Sequence, residues 1–276
     1  MMKKIKITPY KVISAIVLIV LAFFFLFPLY WILTGSVKTA SVINDAVPQW
    51  FPLSPTMDNY ERLLDNPALL WLFNSVAMAV LSMVLTCVTA SMAGYVLAKK
   101  RFVGRKVLFG IFICAMALPK QVILIPLLRE MSFLNLHDSM WAVILPTVGW
   151  PFGVFLMKQF SENIPGELLE AAKIDGAGEV RTFTEIVLPI IKPGIGALAI
   201  FTFINCWNDY FLQLIMLNSR SKLTISLGIA KLQAEMSTDF GLIMAGAALA
   251  AIPIITVFLA FQKYFTKGIT MGAVKG

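Results

Sequence analysis

The stretch PGELLEAAKIDGAGEVRTFTEIVLPIIKP, residues 165–193, is a long polar interruption in an otherwise apolar chain. Pro165 is suited to open a helix, because it has no amide hydrogen to leave unbonded and its φ is preset. Residues 167–173 are strong helix formers, and Asp175-Gly176 is typical of a helix stop. A second amphipathic turn is predicted to end by Pro189, with one face formed by Val180, Phe183 and Val187. The stretch therefore predicts two short helices, joined at a glycine, that form a projecting knob.

The chain as a whole has the composition of a membrane protein. Of its 276 residues, 59% are hydrophobic and only 14% are charged, unlike a typical soluble domain. Apolar runs near the length needed to cross a bilayer predict an all-α fold with six membrane spans. We expect a single membrane domain over residues 1–276, with spans near 12–33, 70–98, 107–128, 140–157, 194–217 and 242–262.

The first apolar run has two interpretations. Four lysines precede it within residues 1–11, which is also the pattern of a secretory signal peptide. The run is long for a signal peptide, however, and no small-residue cleavage pattern follows it. These features favour a retained span.

The distribution of basic residues predicts the orientation. With both termini inside, the inner segments contain 16 Lys and Arg residues and the outer segments contain 6. Because basic residues favour the cytoplasmic side, we expect both termini and the loop 163–193 in the cytoplasm. The same asymmetry accounts for the net charge of +8 without nucleic acid as a partner.

The third span contains Pro119 and Lys120. A proline inside a membrane helix leaves a backbone carbonyl that needs another partner, and a lysine there is costly. A broken helix carrying Lys120 would suit the path of a transported solute, where the lysine could meet an anionic group. The alternative is a lysine that reaches the interface or pairs with an acid on another subunit.

The fifth span carries a second set of polar candidates. Its residues 205, 209 and 213 are four apart and are predicted to share one stripe of a helix. Amides, a carboxylate and aromatic rings suit sugar recognition by hydrogen bonding and stacking, although hydrogen bonding between helices is an equal alternative. The candidates on this span are Asn205, Trp207, Asn208, Asp209 and Gln213.

The spacing within 165–193 resembles the EAA loop of membrane subunits of binding-protein-dependent ABC importers. Glu170-Ala171-Ala172 is followed after three residues by Gly176, and after nine more by Ile186, Leu188 and Pro189. The resemblance implies a coupling helix that docks into a cleft of a cytoplasmic ATPase. An ordinary amphipathic hairpin lying on the membrane is the alternative. The residues implied in coupling are Glu170, Ala171, Ala172, Asp175, Gly176, Leu188 and Pro189.

Other segments resemble the carbohydrate-uptake branch of this family. They are Asn59-Tyr60, Asn74-Ser75, Trp207-Asn208 and the basic loop 99–106. The tail 267–276 resembles that of maltose-type permeases, which implies that Gly272, Lys275 and Gly276 reach the interface between two ATPase subunits. The outer loop 34–69 is expected either to contact a binding protein or to pack loosely.

The resemblance implies a heteromeric importer in a bacterial or archaeal cytoplasmic membrane. Its other parts are a second homologous permease subunit, two ATPase subunits and an extracytoplasmic solute-binding protein. The chain lacks a G-x-x-x-x-G-K-[ST] loop, so we expect no cofactor on it, and ATP and Mg²⁺ on the ATPases. An oligosaccharide, an acidic sugar or a polyol derivative is expected as the substrate, and Lys120 favours an acidic one.

Two rival functions follow from the residues. An ion-coupled secondary transporter would have Lys120 and Asp209 as its intramembrane ion site. A membrane-embedded enzyme would need a metal or nucleophile constellation, but the one histidine, His137, has no histidine partner and the three cysteines lie within apolar runs. We therefore expect neither a catalytic site nor a metal site.

Overall fold

The computed structural model describes residues 8–235 and 239–273, with backbone alone from 263 onward. All regular structure within these ranges is helical. The elements are α1 (Pro9–Gly35), α2 (Ala40–Ile43), α3 (Asp58–Leu64), α4 (Ala68–Lys99), α5 (Arg105–Met116), α6 (Lys120–Phe133), α7 (Trp141–Val148), α8 (Phe152–Glu162), α9 (Gly166–Ile174), α10 (Glu179–Thr182), a π-helical turn (Phe183–Val187), α11 (Leu188–Asn208), α12 (Tyr210–Met216), a 3₁₀ turn (Arg220–Lys222), α13 (Ile225–Glu235) and α14 (Phe240–Ala273).

Five helical segments of the described chain are long and apolar enough to cross a membrane. A sixth arises if α5 and α6, bent by 107° at a short break, count as one span. The six segments correspond in order to the six predicted spans, although their ends differ. The five candidates that need no such pairing are Pro9–Gly35, Ala68–Lys99, Trp141–Glu162, Glu179–Asn208 and Phe240–Gln262.

The chain divides into two compact units. The first comprises the described parts of Met1–Ala68 and Ile229–Ala251, and much of the outer loop 34–69 folds back on this unit. The Asn59 amide donates to the carbonyls of Ser36 and Lys38 at 2.9 and 2.7 Å. The ammonium of Lys38 donates to the Gln49 carbonyl and lies 4.7 Å from the centre of the Trp31 ring. Burial lowers the pKa of this lysine.

The second unit comprises Leu69–Gly228 and Ile252–Gly276. Its apolar core is continuous from the membrane helices into the knob 163–193. The core is continuous because α4, α8 and α11 each present one apolar face to the same interior. The fully buried members of this core are Ala90, Tyr95, Met157, Ile164, Val187, Ile191 and Leu198.

Close contact between α4 and α8 depends on Gly94. A Cβ at this position would lie 2.6 Å from the Lys158 backbone nitrogen and 2.7 Å from the Met157 carbonyl carbon. Because backbone atoms cannot rotate away as a side chain can, Gly94→Ala should force the two helices apart and destabilise the fold by about 1–3 kcal/mol. Thermal unfolding of the purified chain measures this effect.

Gly110 provides the matched control, because it also lies inside a membrane helix but a Cβ there would meet nothing within 4 Å. Gly110→Ala should be neutral or stabilising by about 0.5–1 kcal/mol, through the lower entropy of the unfolded chain. Equal melting temperatures for the two variants would contradict the close-packing argument.

The second helix of the knob does not end by Pro189, so that prediction is wrong. The π-helical turn connects α10 directly to α11, and Glu179–Asn208 is one 30-residue segment. The Leu188 amide bonds five residues back, to the Phe183 carbonyl, and Pro189 follows without an amide hydrogen to place. The wider turn thus lets the helix continue through Pro189, whose ring would clash with the preceding turn of a regular α-helix.

The wider turn also changes which residues share a face. Val180 is 78% exposed whereas Val187 is fully buried. The predicted common face of Val180, Phe183 and Val187 is therefore wrong. An extra residue in the turn rotates everything after it relative to everything before it.

Candidate functional site

The third predicted span is interrupted at Pro119. This residue is the N-cap of α6 and has an extended backbone, with φ −61° and ψ 129°. Proline removes a helical hydrogen bond and its ring clashes with the preceding turn, so the chain leaves the helix after Met116 and restarts at Lys120. The bend places Lys120 at the first position of a helix, where the peptide dipoles already contribute partial positive charge.

The fifth predicted span is interrupted too, at Asp209. Its φ of −79° and ψ of 65° are not helical, and its carboxylate accepts the Leu212 amide at 3.4 Å to begin α12. Asn205 and Gln213 consequently lie on different helices. The predicted single stripe through Asn205, Asp209 and Gln213 is wrong because a regular period does not continue through the break.

The two breaks meet. The Nζ of Lys120 lies 3.2 Å from Oδ2 of Asp209, and 4.8 Å from the centre of the Trp150 ring. An acid near the end of one broken helix therefore compensates a cation at the start of another, and an aromatic face covers that cation. This local group has no surplus charge.

The paired residues form part of the wall of a cavity of about 360 Å³. Its volume lies within the range of roughly 300–1,000 Å³ found for small-molecule sites. The wall is mostly apolar, but a few polar groups converge on it, an arrangement typical of sites that orient a ligand. Besides Lys120, Asp209 and Trp150, it includes Gln121, Thr147 and Phe211.

The other residues predicted along the path do not line this cavity. Asn205 donates to the Phe201 carbonyl of its own helix at 2.8 Å, and Asn208 is exposed. Trp207 is only 5% exposed and stacks on the Phe203 ring. Their part in transport stays a prediction, but the cavity does not depend on them.

Gln213 joins segments within the second unit. It is 2% exposed, donates to the Cys206 carbonyl at 2.7 Å and accepts the Thr224 hydroxyl at 2.6 Å. A buried amide with both ends bonded stabilises packing and has little capacity left for a solute. Gln213 therefore fits the alternative interpretation from the sequence, which is hydrogen bonding between helices and not sugar recognition.

Trp150 was not among the residues singled out from the sequence. It lies in Gly149-Trp150-Pro151, the break between α7 and α8 within the fourth span. A glycine and a proline on either side of an aromatic residue inside an apolar run are a detectable sign of such a break. The proline of this group gives the same kind of signal as Pro119 does in the third span.

At the other candidate site, the knob, α9 ends as predicted. Gly176 has φ +75°, its amide donates to the Lys173 carbonyl at 3.2 Å, and the Ala177 amide donates to the Ala172 carbonyl at 2.9 Å. These two bonds form a Schellman motif, which requires the left-handed conformation that glycine adopts without penalty. The direction in which the chain leaves α9 is therefore set by Gly176.

The knob has one attached face and one free face. Ala172 is only 4% exposed, and Leu169 and Leu188 pack against the core of the second unit. On the free face, Ile174 is 86% exposed and Val180 is 78% exposed. Glu170, Ala171, Asp175 and Pro189 are also exposed. Large apolar side chains at a projecting tip are typical of a protein-binding surface.

Lysines at the end of α4 hold the knob in place. The Lys99 ammonium donates to the carbonyls of Glu162 and Ile164 at 3.0 and 2.6 Å. Lys100 pairs with Glu179 at the start of α10. Burial opposes the charge of Lys100, but its hydrogen bond to Glu179 and its electrostatic interactions with Glu179 and Tyr95 outweigh that effect and raise its pKa.

In the loop before α7, the Asp138 side chain binds the segment that follows α12. Its carboxylate accepts the amides of Asn218 and Ser219 at 2.8 and 3.0 Å, and lies 3.2 Å from the Lys222 ammonium. Burial alone would raise the pKa of this carboxyl, but the hydrogen bonds outweigh it and hold the pKa below its usual range.

The tail is described only in part. The backbone of α14 is helical through Ala273, so Gly272 belongs to that helix. Lys275 and Gly276, the other two residues implied at an ATPase interface, lie outside the described residues.

The family is identified by comparison with known proteins. Residues 88–271 match the model of the binding-protein-dependent transport system inner membrane component. The chain belongs to this family. This permease is 34% identical over 272 residues to the arabinooligosaccharides transport system permease protein AraQ of Bacillus subtilis, across 97% of this chain and 96% of that one.

Other relatives are also sugar permeases. The maltodextrin transport system permease protein MdxG of Bacillus subtilis is 33% identical, across 96% of each chain. The sulfoquinovosyl glycerol transport system permease protein SmoH of Agrobacterium fabrum is 32% identical, across 97% of this chain and 94% of that one.

A solved structure supports the fold. A chain of a bacterial ABC transporter that imports the acidic polysaccharide alginate has a TM-score of 0.82 at 22% identity, covering 93% of this permease and 96% of that chain. The all-α, multi-pass membrane fold is confirmed, as is membership of the carbohydrate ABC transporter permeases. This family consists of transport subunits, not enzymes.

Proposed function

We propose that this permease forms half of the translocation pathway of an ATP-driven importer of uncharged oligosaccharides. The observation that carries the proposal is the cavity where two interrupted membrane helices meet. Backbone that leaves the helix at membrane depth is tolerated where it lines a cavity or is covered by protein. Two aromatic rings, one amide group and a carboxylate on its wall suit hydroxyl groups and sugar ring faces.

The charge balance of the cavity favours an uncharged sugar. Considered alone, Lys120 pointed towards an acidic substrate, but Asp209 lies 3.2 Å from it and Trp150 covers it. An anionic sugar would have to displace Asp209 or lie next to it, at a cost in electrostatic repulsion. A neutral oligosaccharide leaves the pair intact. Arabinooligosaccharides and maltodextrin, named for two of the relatives, are consistent with this choice.

The knob 163–193 is proposed to transmit the conformational change. Its attached face belongs to the core of the second unit, so force on the knob reaches α4, α8 and α11 without an intervening flexible linker. Its free face offers Ile174 and Val180 to a cleft in an ATPase subunit. Binding of ATP and of the loaded solute-binding protein would then favour one of two states of the pathway, as coupled equilibria require.

The full assembly follows from the same proposal. It comprises a second homologous permease subunit, two ATPase subunits that hold ATP and Mg²⁺, and an extracytoplasmic solute-binding protein. The knob and both termini face the cytoplasm, in agreement with the excess of basic residues in the predicted inner segments.

Crosslinking from the free face tests the coupling role. In a chain whose three native cysteines are replaced, Ile174→Cys labelled with a thiol-reactive photo-crosslinker should form an adduct with the ATPase subunit in membranes on illumination, and ATP should change its yield. Ala172→Cys is the matched control, because its side chain is buried against the same chain and should react far less. The expected difference in yield is at least about tenfold, following exposure.

The outcome also separates the rival functions. An adduct at Ala172 but not at Ile174 would contradict the assignment of the free face. The absence of any adduct, together with uptake that survives ATP depletion and stops when the ion gradient is removed, would favour a secondary transporter.

A further inference from the structure

The loop between α4 and α5 lines a second pocket, which is shallow and open to the surroundings. Its volume is about 410 Å³, and it is lined by Arg101, Phe102, Gly104, Arg105, Lys106 and Val107. Gly104, with φ +86°, turns the chain so that both ends of this short loop face the same space. The proposed transport function uses none of these residues.

The pocket concentrates positive charge that no acidic group in the described part of the chain neutralises by an ion pair. None of the ion pairs among the described residues involves Arg101, Arg105 or Lys106. The neighbouring Lys99 and Lys100 are, by contrast, committed to holding the knob. Three cations around one pocket therefore remain available to an anionic ligand.

Hydrogen-bonding capacity is available in the same place. The Arg105 guanidinium donates one bond to the Lys100 carbonyl at 3.0 Å, which orients the group while leaving other N–H groups for a ligand. The first turn of α5 contains no acidic residue and its N-cap provides no side-chain bond. The peptide dipoles of α5 add partial positive charge to that of the side chains.

The pocket continues into an apolar surface. Val107 is 69% exposed, Ile111 is 60% exposed, and Cys114 is exposed, at spacings of four and three residues along α5. These spacings place the three side chains on one stripe of the helix. A ligand with an anionic head and a long apolar chain would match the pocket and the stripe together, whereas a soluble phosphate would use only the pocket.

We propose that this pocket binds the phosphate head of an anionic phospholipid, with an acyl chain along the α5 stripe. Clusters of Lys and Arg at the end of a membrane helix are well suited to anionic lipid heads, each contributing about 1 kcal/mol near the surface. The contacts from Lys99 and Lys100 to the knob place this lipid beside the coupling segment. The proposal depends on the membrane location of the family and not on the identity of the sugar.

Lipid retention by the purified full-length chain tests the proposal. The chain is titrated with dioleoyl phosphatidylglycerol or dioleoyl phosphatidylcholine, and retained lipid is counted by native mass spectrometry. We expect preferential, saturable retention of phosphatidylglycerol. The double variant Arg101→Gln, Lys106→Gln should bind it about 30-fold more weakly, as expected for the loss of two cations.

The matched control removes the same charge elsewhere. Lys173→Gln with Lys192→Gln changes two exposed lysines outside the pocket and should leave retention within about twofold of the original chain. An equal loss of phosphatidylglycerol retention in both double variants would refute the proposed site and indicate a general effect of charge. Displacement of the lipid by equimolar glycerol 3-phosphate would show a soluble phosphate site instead, and no preference between the two lipids would also refute the proposal.

Discussion

Asp209→Asn is expected to lower ATP-driven uptake of a neutral oligosaccharide by about tenfold, and adding Lys120→Met should restore most of it. Removing one partner of a fully buried ion pair costs about 3–5 kcal/mol, because the other charge is left alone. The Lys120 side chain is 37% exposed, so water screens part of this cost. We therefore expect about 1–2 kcal/mol, which corresponds to the tenfold change.

The choice of replacement isolates the charge. Asparagine retains an oxygen that can accept the Leu212 amide, so the cap of α12 survives in Asp209→Asn. Lys120→Met alone leaves the carboxylate uncompensated and should reduce uptake similarly. The double variant has no net charge, like the original pair.

Uptake in proteoliposomes with a neutral and an anionic sugar measures the effect. In Asp209→Asn the cavity has a net positive charge. Uptake of the anionic sugar relative to the neutral one should therefore be higher for this variant than for the original chain. Asn205→Ala is the control, because among the described residues that amide donates to its own helix, and it lies outside the cavity wall. Equal uptake by the original chain, the two single variants and the double variant would refute the proposed role of the pair. Uptake by the double variant that is no higher than that of the single variants would also refute it.

A second large effect is expected at Gly176. Gly176→Pro should abolish coupling, because proline fixes φ near −65° and the Schellman motif requires the observed +75°. A Cβ at this position would meet nothing within 4 Å among the described residues, so the backbone conformation and the lost amide bond to the Lys173 carbonyl decide the outcome, not a steric clash. ATP-driven uptake should fall at least about tenfold while the amount of permease in the membrane stays unchanged.

Asparagine at the same position is the control. Gly176→Asn adds a larger side chain but tolerates the left-handed conformation, so it should retain uptake within about threefold. The measurement compares ATP hydrolysis with uptake by the reconstituted complex. Equal uptake by the proline and asparagine variants would contradict the role of Gly176 in directing the knob.

Several features were predictable because their causes are local. Apolar runs of sufficient length predicted the membrane spans, and a glycine after a helix-forming run predicted the end of α9. The spacing from Glu170 to Pro189 identified the family, which the comparisons confirm. Pro119 predicted the break in the third span, because the missing amide hydrogen is a property of that one residue.

The sequence by itself thus determined the membrane class, the family and the stop at Gly176, all of which depend on neighbouring residues. Only the tertiary structure decided that Asp209, 89 positions away, compensates Lys120, and that Ala172 is buried while Ile174 is free. It also showed the π-helical turn that continues the helix past Pro189. The physical reason is that charge compensation, burial and helix register depend on which distant segments come into contact, and no local pattern specifies those contacts.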